Sequence, residues 1–140
     1  ELHDYNIKIV VSGLRDNLSK DVLKCIDNVV ELTKNNTDGV LNVCLNYGGR
    51  REIGDAVNKI KEANITVTED NFGKYLYNEL PDLDFVIRTS GEERISNFML
   101  WQISYAEFYF PKVYFPDFDE KEFDKALEIY NNRNRRFGGN

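Results

Sequence analysis

Apolar positions recur along this chain at two spacings, strand-like and helix-like, and their alternation sets the expected architecture. Residues 7–11 form a near-continuous apolar run closed by Ser12-Gly13, the pattern of a strand buried on both faces and so of a parallel sheet. After Ser19, a candidate N-cap, Val22, Leu23, Ile26, Val29 and Val30 return at helical spacing until Asn35-Asn36. Residues 40–45 read as a second strand, and residues 46–51 turn from it into a helix marked by Ile53, Ala56, Val57 and Ile60. Thr68 opens a short helix through Phe72, Tyr75 and Leu76, with Glu69 and Asp70 suiting its positive end and Pro81 closing it. Residues 84–87 are the third expected strand and residues 98–103 an expected helical segment. A short fourth strand is expected over residues 112–115, between two prolines. Residues 117–119 cap a last helix expected to turn Phe123, Ala126, Leu127 and Tyr130 inward.

Strand and helix alternate throughout, which predicts an α/β fold: a mostly parallel sheet flanked by helices, with right-handed crossovers. The first strand begins almost at residue 1, so the sheet reads as incomplete at its N-terminal side. With 140 residues, 41% of them hydrophobic, the chain suits one core rather than two. A net charge of −6 excludes a general nucleic-acid surface, because phosphate-backbone binding needs a basic excess. Basic residues must therefore act locally. Cys25 and Cys44 lie in apolar periodic segments with no second cysteine at metal spacing, and read as reduced, packed thiols. No window reaches the ~18 consecutive apolar residues of a membrane span and no basic-apolar leader opens the chain, so a soluble, cytoplasmic location is expected.

Chemistry concentrates in residues 88–107, RTSGEERISNFMLWQISYAE, where the third strand empties into its loop. Open α/β sheets place ligands at such exits. Arg88 and Arg94 flank Ser90 and Gly91, small enough for backbone amides to approach an anion. Ser96 adds a hydroxyl at the start of the expected helix, and Ile95 its amide. A lone arginine after a strand is more often a surface ion-pair partner. The combination points to an anion, and two arginines suit a diphosphate better than a carboxylate. Glu92 and Glu93 read as charge balance for Arg94 as readily as catalytic acids. Glu107 sits between Ala106 and Phe108-Tyr109-Phe110, where a carboxylate needs a cation. Mg²⁺, held by one or two carboxylates and substrate phosphate oxygens, is one candidate. The Asn46-Tyr47-Gly48-Gly49 turn could cradle a phosphate or only satisfy geometry. The arginines 133, 135 and 136 before Phe137-Gly138-Gly139 either end a helix or reach an anion site in another subunit.

The block RTSGEERISNFMLWQISYAEFYF, with LNYGGRREI before it and PDFDEKEF and NRNRRFGG after it, resembles the cis-prenyltransferase family of undecaprenyl and dehydrodolichyl diphosphate synthases. The resemblance runs over residues 8–139. It implies a Mg²⁺-dependent transferase that condenses isopentenyl diphosphate with an allylic diphosphate into a cis-polyprenyl diphosphate. By the family's pattern Arg88, Arg94, Ile95 and Ser96 would hold isopentenyl diphosphate and Glu107 would bind Mg²⁺. Arg136 and Gly138 match a C-terminal Arg-x-Gly element that completes the site across a dimer interface, and residues 40–45 would line the tunnel for the growing chain. The lipid product implies peripheral association with the cytoplasmic face of a membrane. Two departures stand out. Glu93 takes a place where bacterial members often have His, and the family's N-terminal Asp-Gly-Asn loop and its Ser/Glu/Asn-rich loop are absent. The essential aspartate is therefore expected upstream of residue 1, and residues 1–140 are expected to be the C-terminal part of a single domain, inactive alone. The alternative is a non-catalytic partner subunit of a heteromeric cis-prenyltransferase.

Overall fold

A computed structural model of the chain describes residues 2–133. Contacts divide it into two compact units that meet in sequence at Leu80 and Pro81. Each unit carries one pair of parallel strands with flanking helices, so the α/β class is as expected.

In the first unit β1 (Ile7–Ser12) pairs with β2 (Gly39–Cys44), from Ile7 opposite Gly39 to Ser12 opposite Cys44. Helix α1 (Lys20–Thr33) makes the crossover. Its N-cap is Ser19, whose hydroxyl accepts from the Val22 amide, and its last residue, Thr33, is 1% exposed. The Thr33 hydroxyl donates to the Val29 carbonyl at 2.8 Å and accepts the Ile9 amide at 2.9 Å. Asn36 Nδ2 donates to the Ile7 carbonyl at 2.8 Å, and Asn78 Nδ2 to the Val11 carbonyl at 3.1 Å. Alternate residues of a strand aim their amide groups at the same edge. Residues 7, 9 and 11 thus have the side of β1 away from β2 covered by side chains. Burial is less complete than a two-sided strand requires: Val40, Leu41 and Val43 of β2 are exposed.

The exit of β1 is tight. Gly13 adopts φ +131°, and a Cβ there would lie 1.9 Å from the Leu45 carbonyl oxygen, which belongs to the backbone and cannot step aside. The Leu45 amide already donates to the Ser12 carbonyl at 2.9 Å, fixing the two chain segments together. Gly13→Ala combines a strained φ with a backbone clash and is expected to cost about 2 kcal/mol or more, read as a lower denaturant midpoint at unchanged slope.

Helix α2 (Gly49–Ala63) starts from Gly48 and ends on Asn64 in the left-handed conformation. Gly49, Glu52 and Ala56 are its buried positions. Glu52 is 2% exposed, and its carboxylate accepts the Tyr47 hydroxyl at 2.5 Å and the Tyr77 amide at 3.0 Å. A turn away, Asp55 accepts the Tyr77 hydroxyl at 2.7 Å and Arg51 Nε at 2.9 Å. These hydrogen bonds hold the Asp55 carboxyl below its usual range. Burial, followed by Asp55, pushes the Tyr77 hydroxyl up to about 12. Short α3 (Glu69–Phe72), opened by a capping box at Thr68, and a 3₁₀ turn (Gly73–Tyr75) lead to this contact. Both cysteines are free. Cys25 is exposed instead of packed, and Cys44 is half-buried, with burial and then Glu52 raising its thiol.

In the second unit β3 (Phe85–Ile87) pairs in parallel with β4 (Glu107–Tyr109). The expected fourth strand over residues 112–115 does not form. The Pro111 and Val113 carbonyls instead accept the Gly91 and Ser90 amides, and the chain then passes into a 3₁₀ turn (Phe115–Asp117). The expected helix over residues 98–103 is a series of turns, because Ser96, Asn97 and Met99 have φ of 52°, 63° and 42°, outside the right-handed helix region. Met99 and Ile103 are nonetheless buried, so their side chains reach the core without a helix. Helix α4 (Glu120–Asn131) is capped by Asp119, which accepts the Glu122 amide. Its inward stripe is narrower than predicted: Ala126 is buried, while Phe123 and Leu127 are exposed. Tyr130 reaches the Phe85 ring, 5.0 Å between centroids. Among the described residues no helix is long and apolar enough to cross a membrane.

Candidate functional site

Arg88 is the first residue beyond β3, and its amide extends the ladder by donating to the Tyr109 carbonyl at 3.0 Å. That anchor directs the side chain of half-buried Arg88 into the following loop. Arg88 Nη1 donates to the Arg94 carbonyl and, at 2.9 Å, to Ser96 Oγ. One arginine thereby folds residues 94–96 back over the end of the strand. Ser96 has left-handed φ, which points to a backbone held by its neighbours rather than by local preference. The Arg94 guanidinium pairs with Glu92, both side chains well exposed. Charge balance is therefore the role that the structure gives Glu92.

Arg88, Arg94, Ile95 and Ser96 line one cavity of about 350 Å³, which Phe98 and Phe108 also line. The sequence-predicted anion ligands are thus brought together. The donors differ from expectation. Ser90 and Gly91 spend their amides on Val113 and Pro111, each at 2.8 Å, and so make a turn and not an anion nest. No helix starts at Ser96, so no helix dipole contributes. What remains is two guanidiniums and a hydroxyl at the rim of an apolar cavity. That combination suits an amphiphile with a dianionic head and a short hydrocarbon body.

Glu107 does not join this cluster. It opens β4 opposite Phe85, whereas Arg88 lies three residues beyond Phe85 in the parallel partner. At the usual strand rise the two backbone positions are roughly 10 Å apart along the sheet, at opposite ends. The Glu107 carboxylate accepts Arg133 Nη1 at 2.6 Å, with the side chains 25% and 37% exposed. The cation that its setting demanded is supplied by the chain itself. Among the described residues no group of three or more His, Cys, Asp or Glu could hold a metal ion. As they stand, these residues do not fit Mg²⁺: there is one carboxylate, and a guanidinium already sits on it. Arg136 and Gly138 lie outside the described residues.

Sequence reasoning missed two groups. Buried Glu52 could have been found from its register, three residues after Gly49 and four before Ala56 on the inward stripe of α2. The Arg133–Glu107 pair joins residues 26 apart and leaves no local signal.

Comparison with known proteins matches the sequence and the fold to a family. The sequence model for undecaprenyl diphosphate synthase, a prenyltransferase family, matches residues 1–138. An isoprenyl transferase of Fusobacterium nucleatum is 57% identical over 134 residues, which cover 95% of this chain and 58% of that protein. A crystal structure of a probable undecaprenyl diphosphate synthase from Campylobacter jejuni superposes with a TM-score of 0.91 at 32% identity, over 99% of this chain and 66% of that one. Lavandulyl diphosphate synthase from Lavandula x intermedia, solved in complex with dimethylallyl diphosphate, gives a TM-score of 0.88 at 31% identity, over 95% of this chain and 61% of that one. The chain thus spans about three fifths of the length of the relatives it matches. With the cationic rim and apolar cavity at the end of β3 in view, the chain belongs to the undecaprenyl diphosphate synthase family of prenyltransferases.

Proposed function

We propose that this chain supplies the isopentenyl diphosphate side of a cis-prenyltransferase, which condenses isopentenyl diphosphate with an allylic diphosphate into a cis-polyprenyl diphosphate. The observation that carries the reading is the grouping of Arg88, Arg94 and Ser96 at the rim of an apolar cavity. The two guanidiniums would hold the diphosphate and neutralise part of its charge. Ser96 Oγ accepts from Arg88, which leaves its own proton to donate to a phosphate oxygen. The five-carbon body would lie against Phe98 and Phe108, out of water. The dimethylallyl diphosphate bound to the Lavandula enzyme is a ligand of the same size and charge.

On this reading residues 1–140 form the C-terminal part of one catalytic domain. The allylic primer site and the essential aspartate come from sequence upstream, and Arg136 and Gly138 act across a dimer interface. Mg²⁺ dependence belongs to the proposal as well. It requires ligands beyond Glu107, and no step here is routed through the ion. A cytoplasmic enzyme working beside a membrane would suit the lipid product.

The test is calorimetric titration of the 140-residue chain with isopentenyl diphosphate and with inorganic diphosphate. Isopentenyl diphosphate is expected to bind, and to bind the more tightly of the two because only it fills the apolar cavity. The chain alone is expected to show no prenyl transfer. Absence of isopentenyl diphosphate binding would remove the reading, and prenyl transfer by the isolated chain would overturn the division of the site.

A further inference from the structure

On the reading that the rim at the end of β3 takes isopentenyl diphosphate, we infer that Lys112 supplies its third cation, acting on the diphosphate through space rather than by contact. The rim itself is poor in net charge. Between residues 88 and 96 two arginines are matched by two glutamates, Glu92 and Glu93, and the Arg94 guanidinium is already paired with Glu92. A dianionic head is drawn in by positive charge in excess of that balance.

Lys112 brings the excess, and the fold holds it beside the loop that joins the two arginines. The Ser90 amide donates to the Val113 carbonyl and the Gly91 amide to the Pro111 carbonyl, each at 2.8 Å, so the lysine backbone is clamped between two hydrogen bonds. A Cβ on Gly91 would lie 3.6 Å from Lys112 Cγ and 3.7 Å from its Cα, so the lysine stem rests on the glycine. Gly91 is three residues from Arg88 and three from Arg94, a span of at most roughly 11 Å in either direction. That span is well inside a Debye length in dilute buffer and beyond one in strong salt. Lys112 is exposed, and among the described residues no carboxylate lies within ion-pair distance of its ammonium. Its charge is therefore uncommitted, unlike that of Arg94. A lysine that only covered Gly91 would have a different signature, since its stem would matter and its charge would not.

The test is calorimetric titration of the 140-residue chain with isopentenyl diphosphate at about 20 mM and at about 300 mM salt. Lys112→Gln keeps most of the stem and removes the charge. It is expected to bind about threefold more weakly than the parent in dilute buffer and equally in strong salt. Lys112→Glu should lose about tenfold on the same terms, and Lys112→Arg should bind like the parent. Arg88→Ala, measured alongside, reports on the rim itself. Parent-like binding by Lys112→Gln and Lys112→Glu in dilute buffer, with Arg88→Ala impaired, overturns the inference and leaves the rim standing. A loss that persists undiminished in strong salt assigns Lys112 to packing and overturns it as well. Failure of the parent chain to bind isopentenyl diphosphate removes the reading of the rim, and the role of Lys112 with it.

Discussion

Arg88→Ala is expected to weaken isopentenyl diphosphate binding by about a hundredfold, roughly 3 kcal/mol, while Arg94→Ala costs nearer tenfold. The asymmetry follows from what each arginine touches. Arg94 is exposed and already shares its charge with Glu92, so a ligand gains from it only the difference between two anions. Arg88 is half-buried and organises the rest of the rim: it holds the Arg94 carbonyl and the Ser96 hydroxyl with one nitrogen. Its removal deletes a ligand and releases two more, and frees Ser96 to leave its left-handed geometry. Arg88→Lys should recover little, because a single ammonium on a flexible stem cannot reproduce a planar fork. Calorimetric titration of the three variants checks the order. A larger loss for Arg94→Ala than for Arg88→Ala would show that the rim is not organised from Arg88.

Glu52→Ala is expected to destabilise the chain by about 3 kcal/mol, with Glu52→Gln costing about half as much. Truncation leaves the Tyr47 hydroxyl and the Tyr77 amide without the acceptor they share, in a place where Glu52 itself is 2% exposed. Glutamine keeps an oxygen for the amide and an NH₂ that the Tyr47 hydroxyl can accept after rotating. The effect should appear as a lower urea midpoint at constant slope. A Glu52→Ala loss below about 1 kcal/mol would show that water replaces the carboxylate and that the site is less closed than its burial indicates.

The elements that were legible in the sequence are those whose signals are local. Ser19 and Asp119 announce α1 and α4 because a short polar side chain before an apolar stripe satisfies the first free amides of a helix. β1, β2 and β3 follow from continuous apolar runs. Residues 98–103 misled because helical spacing describes which side chains are buried, and Met99 and Ile103 are, but not the backbone that delivers them. Left-handed φ at Ser96, Asn97 and Met99 comes from tertiary restraint that no window of sequence displays. The strand expected at residues 112–115 gave way to a turn in which the Val113 carbonyl, and that of Pro111 just before it, accept the Ser90 and Gly91 amides. In the site, Arg88, Arg94, Ile95 and Ser96 were legible together because they surround one strand exit. Glu107 was placed with them on sequence proximity, and the parallel pairing of β3 with β4 sends it to the other end.

The side chains along the outer border of β1 bear on how the chain behaves in isolation. Thr33, Asn36 and Asn78 take up the main-chain groups that an incoming strand would need. An uncovered border of this kind is a template for fibril growth. Here that route is blocked by three ordinary side chains, and a strand recruited to this sheet would have to join on the side of β2.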